Sequence, residues 1–164
     1  MSNQTLEPLE PELEHLHNRP GPQAPSAEWA EWANGTPQLR GLGIECTAAA
    51  DGTAEFTVSS VPYVPNPNGS VNGGMLSAIA DQVMGVLTAM ACPPGYLAAT
   101  ASLHIQFHRP AHAPLDVRGA LLPGGSRVKF VEVVIRDRTG EHCATAQGTM
   151  IVGGAARPES GESR

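Results

Sequence analysis

With 164 residues, 41% of them hydrophobic and 16% charged, the chain has material for one domain with a real core and not for two. A net charge of -6 gives no electrostatic basis for a nucleic-acid or anionic-membrane partner, and neither is expected. Asp81 and Gln82 keep the longest apolar run short of the roughly 18 residues of a spanning helix. The first 25 residues hold five prolines and many glutamates, with neither the basic nor the apolar part of a secretion signal. A cytoplasmic protein with a flexible arm over 1–25 is therefore expected, although Leu6, Leu9, Leu13 and Leu16 fall at helical spacing interrupted by Pro8 and Pro11. Cys46, Cys92 and Cys143 are odd in number and outside any CxxC pattern, which fits reduced structural thiols.

From residue 26 the pattern becomes that of an ordered domain, expected to run to 152 and to be followed by a frayed tail over 153–164. Ser26 reads as the N-cap of a short helix through "AEWAEWANG", with Trp29 and Trp32 on one face and Asn34-Gly35 as its stop. "GLGIECTAAADGTAEFTVSS" predicts two strands around a turn at Asp51-Gly52. An apolar helix follows over Met75–Ala91, then four segments of strand character: "SLHIQFHR", "APLDVRGALLP", "SRVKFVEVVIRD" and "EHCATAQGTMIV". In the first of these Leu103, Ile105 and Phe107 alternate with Ser102, His104, Gln106 and His108. Strands grouped on either side of one helix predict an antiparallel α+β domain and not a Rossmann-like one.

The helix raises the functional question. Met75, Leu76, Ile79, Ala80, Val83, Met84, Val86, Leu87 and Met90 cover nearly its whole circumference, which predicts burial all round inside a curled sheet. Asp81 stands in that run, where an isolated ionised carboxylate is costly unless hydrogen bonds or charges compensate. A structural acid bonded to the backbone or to Ser77, one turn earlier, satisfies the same pattern as a catalytic one. The preceding "NPNGSVNGG" favours the catalytic reading. Gly73-Gly74 opens the helix and exposes backbone N–H groups suited to a developing oxyanion.

These residues resemble the hotdog-fold thioesterases, and within them the phenylacetate-pathway, PaaI-like group. That group's signature is Asn, two residues, Gly, two residues, His-Gly-Gly, then Asp eight residues after the first glycine. Here the spacing falls on Asn66, Gly69, Asn72, Gly73, Gly74 and Asp81. "ATASLHIQFHRPA" is similar to the family's strand ending in an aromatic and x-Arg-Pro, and "GGSRVKFVEVVIRDRTGEHCATAQGTMIV" to its Gly-x-Arg and closing Gly-Thr pattern. The likeness covers about Gly41 to Val152.

The resemblance implies an antiparallel sheet wrapped around a central helix, a homodimer or homotetramer, and hydrolysis of acyl-CoA thioesters with no cofactor beyond the coenzyme A of the substrate. It implies that the Gly73 N–H polarises the thioester carbonyl, that Asp81 is general base or nucleophile, that Asn66 places water or carbonyl, and that Thr100 supports the acid. The groups come from two facing protomers. Gly69 and Gly74 belong to the substrate-binding turn. Arg127 and Arg109 are candidates for the coenzyme A phosphates. The departure is Asn72 in place of the usual His, which keeps a positioning role and removes proton transfer.

Four other readings compete. His104, His108 and His112 have metal-like spacing, but strand alternation and Pro110 deny them a shared helical face, and no metal site is expected. Gly124-Gly125 lacks phosphate-loop spacing and reads as a hairpin turn. Acyl-thioester dehydratases share the expected fold but resemble one another in a histidine near the start of the helix, and residues 60–80 contain none. A non-catalytic acyl-CoA binding protein is the remaining alternative. Ala98, Ala99, Met84 and Met90 are candidates to line the acyl pocket, and leave aromatic and aliphatic groups equally open.

Overall fold

The computed structural model describes residues 15, 16, 18–93 and 95–154. Helices α1 (Ser26–Gly35) and α2 (Pro37–Gly41) lead into strands β1 (Ile44–Ala50) and β2 (Thr53–Val58). The central helix α3 (Gly73–Met90) is followed by β3 (Tyr96–Phe107), β4 (Leu115–Leu122), β5 (Val128–Arg136) and β6 (His142–Gly154). The strands form one antiparallel sheet in the order β1-β2-β4-β5-β6-β3, and α3 packs on it. This is the α+β hotdog architecture expected from the sequence.

The β1–β2 turn forms where Asp51-Gly52 predicts it. Both residues have positive φ, 52° and 74°, so Ala50 pairs directly with Thr53 in a two-residue hairpin whose twist suits the strands. The close approach of α3 to the sheet depends on two other glycines. A methyl group at Gly119 of β4 would collide with Leu87 and Val83, and one at Gly148 of β6 with the Met84 sulfur.

The sheet covers α3 on one side only. Leu76, Ile79, Ala80, Val83, Met84, Val86 and Leu87 are buried, whereas Ser77, Ala78, Asp81, Gln82 and Gly85 form a half-exposed stripe. The expectation of burial all round is corrected accordingly. The 18-residue helix has the mean hydropathy of a membrane span, 1.2, because its sheet-facing side is so apolar. Gly85 lies in the open stripe with nothing within 4 Å of a Cβ built on it. Gly85→Ala is expected to stabilise the protein by about 0.5–1 kcal/mol, by removing the cost of mid-helix glycine. Urea unfolding measures this, and a loss of stability would show that the stripe is covered.

Two local expectations are also corrected. Pro25, not Ser26, precedes the first turn of α1; the Ser26 hydroxyl instead accepts from the Ala49 N–H at 2.9 Å and ties α1 to β1. β3 begins at Tyr96, six residues before the alternating segment, and lies at the sheet edge. On it Leu103 and Ile105 pack against the core, but Phe107 is 52% exposed. The ring of Phe107 lies over the start of α3, 3.1 Å from where a Cβ at Gly73 would stand.

Residues 1–14 and 17 of the expected arm lie outside the described residues, as do 155–164 of the expected tail. What is described of the arm contacts the domain. The His15 ring stacks on Trp32 and meets its carbonyl at 2.9 Å, the Trp32 indole donates to the His15 carbonyl at 3.1 Å, and Leu16 packs on the core. Arg19 donates to the carbonyls of Cys92, at 3.2 Å, and Pro93.

At the β5–β6 turn, Asp137 accepts from the Thr139 hydroxyl at 2.6 Å and from its N–H at 2.8 Å. These two bonds, hydroxyl first, hold its carboxyl below the usual aspartate range, with His112 and Arg138 adding to the effect. A depressed acid stabilises the fold above its unfolded pKa of about 3.9, and the contribution disappears as pH falls through the lower folded value. Asp137→Ala is therefore expected to destabilise the protein at pH 7 and to close that gap towards pH 3. Denaturation midpoints at the two pH values decide it; an equal gap at both would show that the carboxylate's charge plays no part.

Candidate active site

Asn72 caps α3. Its backbone is extended, and its side-chain Oδ1 accepts from the Gly74 N–H at 2.8 Å. A helix start carries N–H groups without intrahelical acceptors and the positive end of the helix dipole. Here Asn72 takes the second of them. Among the described residues the first, at Gly73, has no acceptor. The residue standing where the related signature has His thus spends its side-chain oxygen on shaping the helix start.

One face of α3 presents Asp81, and the adjacent strand supplies its partner. The Thr100 hydroxyl donates to Asp81 Oδ1 at 2.7 Å. Ser77, the alternative partner in the sequence, donates instead to the Gly73 carbonyl at 3.0 Å. Thr100 lies at a register irregularity of β3 between Thr100 and Ser102, where the strand's alternation resets. A carboxylate with one oxygen fixed by a hydroxyl and the other free can accept a proton or attack an electrophile.

Gly73 and Asp81 do not meet within one protomer. Eight residues of helix separate them, about 12 Å at 1.5 Å per residue. Neither Asp81 nor Thr100 lines a cavity among the described residues, whereas Asn72 and Gly69 line a cavity of about 250 Å³ with Tyr63, Met75, His112 and Arg138.

Asn66 is engaged by its own loop. Its Oδ1 accepts from the N–H groups of Asn68 (2.9 Å) and Ser70 (3.2 Å), and its Nδ2 donates to the Ser70 hydroxyl at 2.8 Å. Gly69, at φ 77°, donates its N–H to the Asn66 carbonyl and closes the turn. Ser70 is a member of this site that sequence reasoning did not single out; its offset of four from Asn66 is the only signal for it. Phe107 is another, because alternation alone gives no sign that its ring covers Gly73.

The two arginines differ. Arg127 lines a cavity of about 510 Å³ with Lys129, Ser126, Tyr96 and Pro93, where two cations share an open basin. Arg109 is paired with the Glu141 carboxylate. His108 and His142 both contact the Thr145 hydroxyl, at 3.0 and 2.8 Å, and among the described residues no three potential ligands cluster. Burial pushes the Cys46 thiol up to about 11 and raises Cys92 and Cys143 as well, so all three stay protonated and unreactive near neutrality.

Comparison with known proteins adds to this geometry. The family model of the thioesterase superfamily matches residues 68–144, from the turn before α3 into β6. The Thermoplasma acidophilum protein Ta0293, which bears an esterase name, is 26% identical over 115 residues, 70% of this chain and 86% of that protein. The PaaI protein of the E. coli phenylacetic acid degradation operon superposes with a TM-score of 0.65 at 22% identity, covering 74% of this chain and 88% of its own. A Streptococcus pneumoniae thioesterase protein solved with coenzyme A gives 0.61 at 24% identity, covering 68% and 87%. The six-stranded antiparallel sheet with α3 packed on it is the hotdog fold of these solved structures, and residues 68–144 match the thioesterase superfamily's model.

Proposed function

We propose that the protein hydrolyses acyl-CoA thioesters, with Asp81 as its catalytic carboxylate and with each site assembled from two protomers. The observation that carries this reading is Asp81 itself, held by Thr100 on a stripe of α3 that its own sheet leaves open. An acid kept only for structure has no reason to face outward from an otherwise apolar helix with one oxygen unused.

In this reading the thioester carbonyl lies against the Gly73 N–H of one protomer and beside Asp81 of the other, since the two are about 12 Å apart along one helix. Asp81 takes a proton from water as the water oxygen bonds to the carbonyl carbon. The resulting oxyanion is held by the Gly73 N–H and the helix dipole. Collapse breaks the C–S bond, and the proton on Asp81 returns to the departing coenzyme A thiolate. Direct attack by Asp81 through a mixed anhydride uses the same groups. Thr100 orients the carboxylate, Asn72 and Gly74 fix the helix start, and Asn66 and Gly69 hold the turn that precedes it.

The coenzyme A phosphates fit the basin of Arg127 and Lys129 better than Arg109, whose charge Glu141 already offsets. The chemistry asks for water and a carboxylate, without metal or cofactor. The acidic composition and the coenzyme A substrate fit a cytoplasmic enzyme. Kinship with the PaaI-like group is favoured by the Asn66, Gly69, Gly73, Gly74 and Asp81 spacing.

The test is thiol release from short, medium, long and aryl acyl-CoA esters, with acyl-CoA binding followed in parallel. Turnover of at least one class supports the hydrolase; binding without turnover of any would assign the fold to acyl-CoA capture instead.

A further inference from the structure

We infer that a cavity beside Asp81 is a length-limited acyl pocket, closed at its far end by the segment preceding α1, so that the protein accepts acyl groups of up to about ten carbons and rejects longer ones. The inference rests on the thioester reading above and names the substrate class of that site.

The cavity holds about 300 Å³, with Gly85, Val86 and Ala89 of α3 on one side and Ala98 of β3 on the other. Gly85 lies one helical turn beyond Asp81, and Ala98 lies two residues before Thr100 on the same side of its strand, so both walls run on from the hydrogen-bonded pair. Gln82 stands at the end nearest the carboxylate, and beyond it the wall of Gly85, Val86, Ala89 and Ala98 is small and apolar. Glycine at 85 relieves no clash, because nothing stands within 4 Å of a Cβ there, and its conformation does not need a positive φ. What the missing side chain provides is room in the cavity.

The far end is closed by Leu16, Arg19 and Trp32. They are held in place: Arg19 by the carbonyls of Cys92 and Pro93, and Trp32 by reciprocal bonds with His15. A longer chain must displace a guanidinium from two carbonyls, and those bonds are charge-assisted.

Helix rise gives the length. Asp81 to Ala89 spans about 12 Å at 1.5 Å per residue. An extended chain of single bonds advances about 1.2 Å per bond, as the backbone does when three bonds cover 3.3–3.6 Å, and about ten carbons fill the distance. The volume sits at the low end of small-molecule pockets, which suits a medium-chain acyl group.

Thiol release from acetyl-, octanoyl-, decanoyl-, dodecanoyl- and hexadecanoyl-CoA tests this in the full-length wild type, in Gly85→Leu and in the double variant Leu16→Ala/Arg19→Ala. Ratios of kcat/KM within one sample cancel any loss of folded protein. Wild type is expected to favour octanoyl over hexadecanoyl by at least about tenfold. Gly85→Leu is expected to lower octanoyl relative to acetyl by about tenfold or more, and the double variant to raise hexadecanoyl relative to octanoyl by a similar factor. Equal use of octanoyl and hexadecanoyl by wild type, or unchanged ratios in both variants, overturns the pocket while leaving the hydrolase standing. Turnover of no ester by wild type overturns the hydrolase reading and this inference with it.

Discussion

Asp81→Asn is expected to lower thiol release by at least about a hundredfold, the lower part of the range for loss of a positioned base. The substitution keeps the shape and leaves Thr100 a hydrogen-bond partner, so unfolding midpoints should move little. Removing the Thr100 hydroxyl as Thr100→Val is expected to cost less, because it frees the carboxylate to rotate without removing it. The hydroxyl donates at 2.7 Å from an exposed strand position, and water can replace it. Steady-state kinetics of the two variants with one ester decides the ranking. If Asp81→Asn retains activity within about threefold, the carboxylate is not the base, since even a weak general base contributes more than that.

The largest effect on stability is expected at the contact of α3 with β4. Leu87 is fully buried, and Leu87→Ala is expected to cost about 2–5 kcal/mol, the lost transfer energy plus the cavity left behind. Gly119→Ala errs in the opposite direction, since its new methyl meets Leu87 and Val83, and overpacking of this kind costs about 1–3 kcal/mol. The two changes occupy the same space. In the double variant the Gly119 methyl enters the volume vacated by Leu87, so the combined loss should fall short of the sum of the two single losses. Urea titration of all four proteins gives the coupling directly. Strict additivity would mean that the sheet moves away from the helix and that the two residues do not compete for one site.

Elements whose geometry follows from local chemistry were readable from the sequence. Asp51-Gly52 tolerates the two positive φ values that a tight hairpin demands, and the apolar run from Met75 to Met90 announces the central helix. What could not be read is which sides are left uncovered. Met75, Ser77, Ala78, Gln82 and Gly85 look as buried on a helical wheel as their neighbours, because the wheel knows nothing of where a six-stranded sheet ends. Ser26 looks like a cap until β1 is present to bind its hydroxyl. Phe107 continues an alternation that suits the sheet, and it departs from it because the start of α3 offers its ring a surface made flat by Gly73.

The candidate site was legible to a different degree in each part. The Asn72 cap and the open Gly73 N–H follow from ordinary helix-start chemistry. The pairing of Asp81 with Thr100, 19 positions apart, came from the family resemblance, since nothing in the spacing brings a helix and an edge strand together. Asn66 was expected to reach towards water or substrate, yet within one protomer its amide is occupied by Asn68 and Ser70. A short polar side chain among other turn formers satisfies itself locally before it reaches outward.

The Asn72 cap sets two demands against each other. Aspartate caps a helix as well as asparagine does, and its charge would gain a further 0.3–1 kcal/mol or so from the helix dipole, so stability alone favours the acid. The same negative charge would sit beside the open Gly73 amide and cancel the field that makes this end of the helix attractive to an anion. A neutral cap gives up a little folding energy and leaves the positive potential unspent. Position 72 is therefore a point where a more stable protein and a more receptive anion site call for different residues.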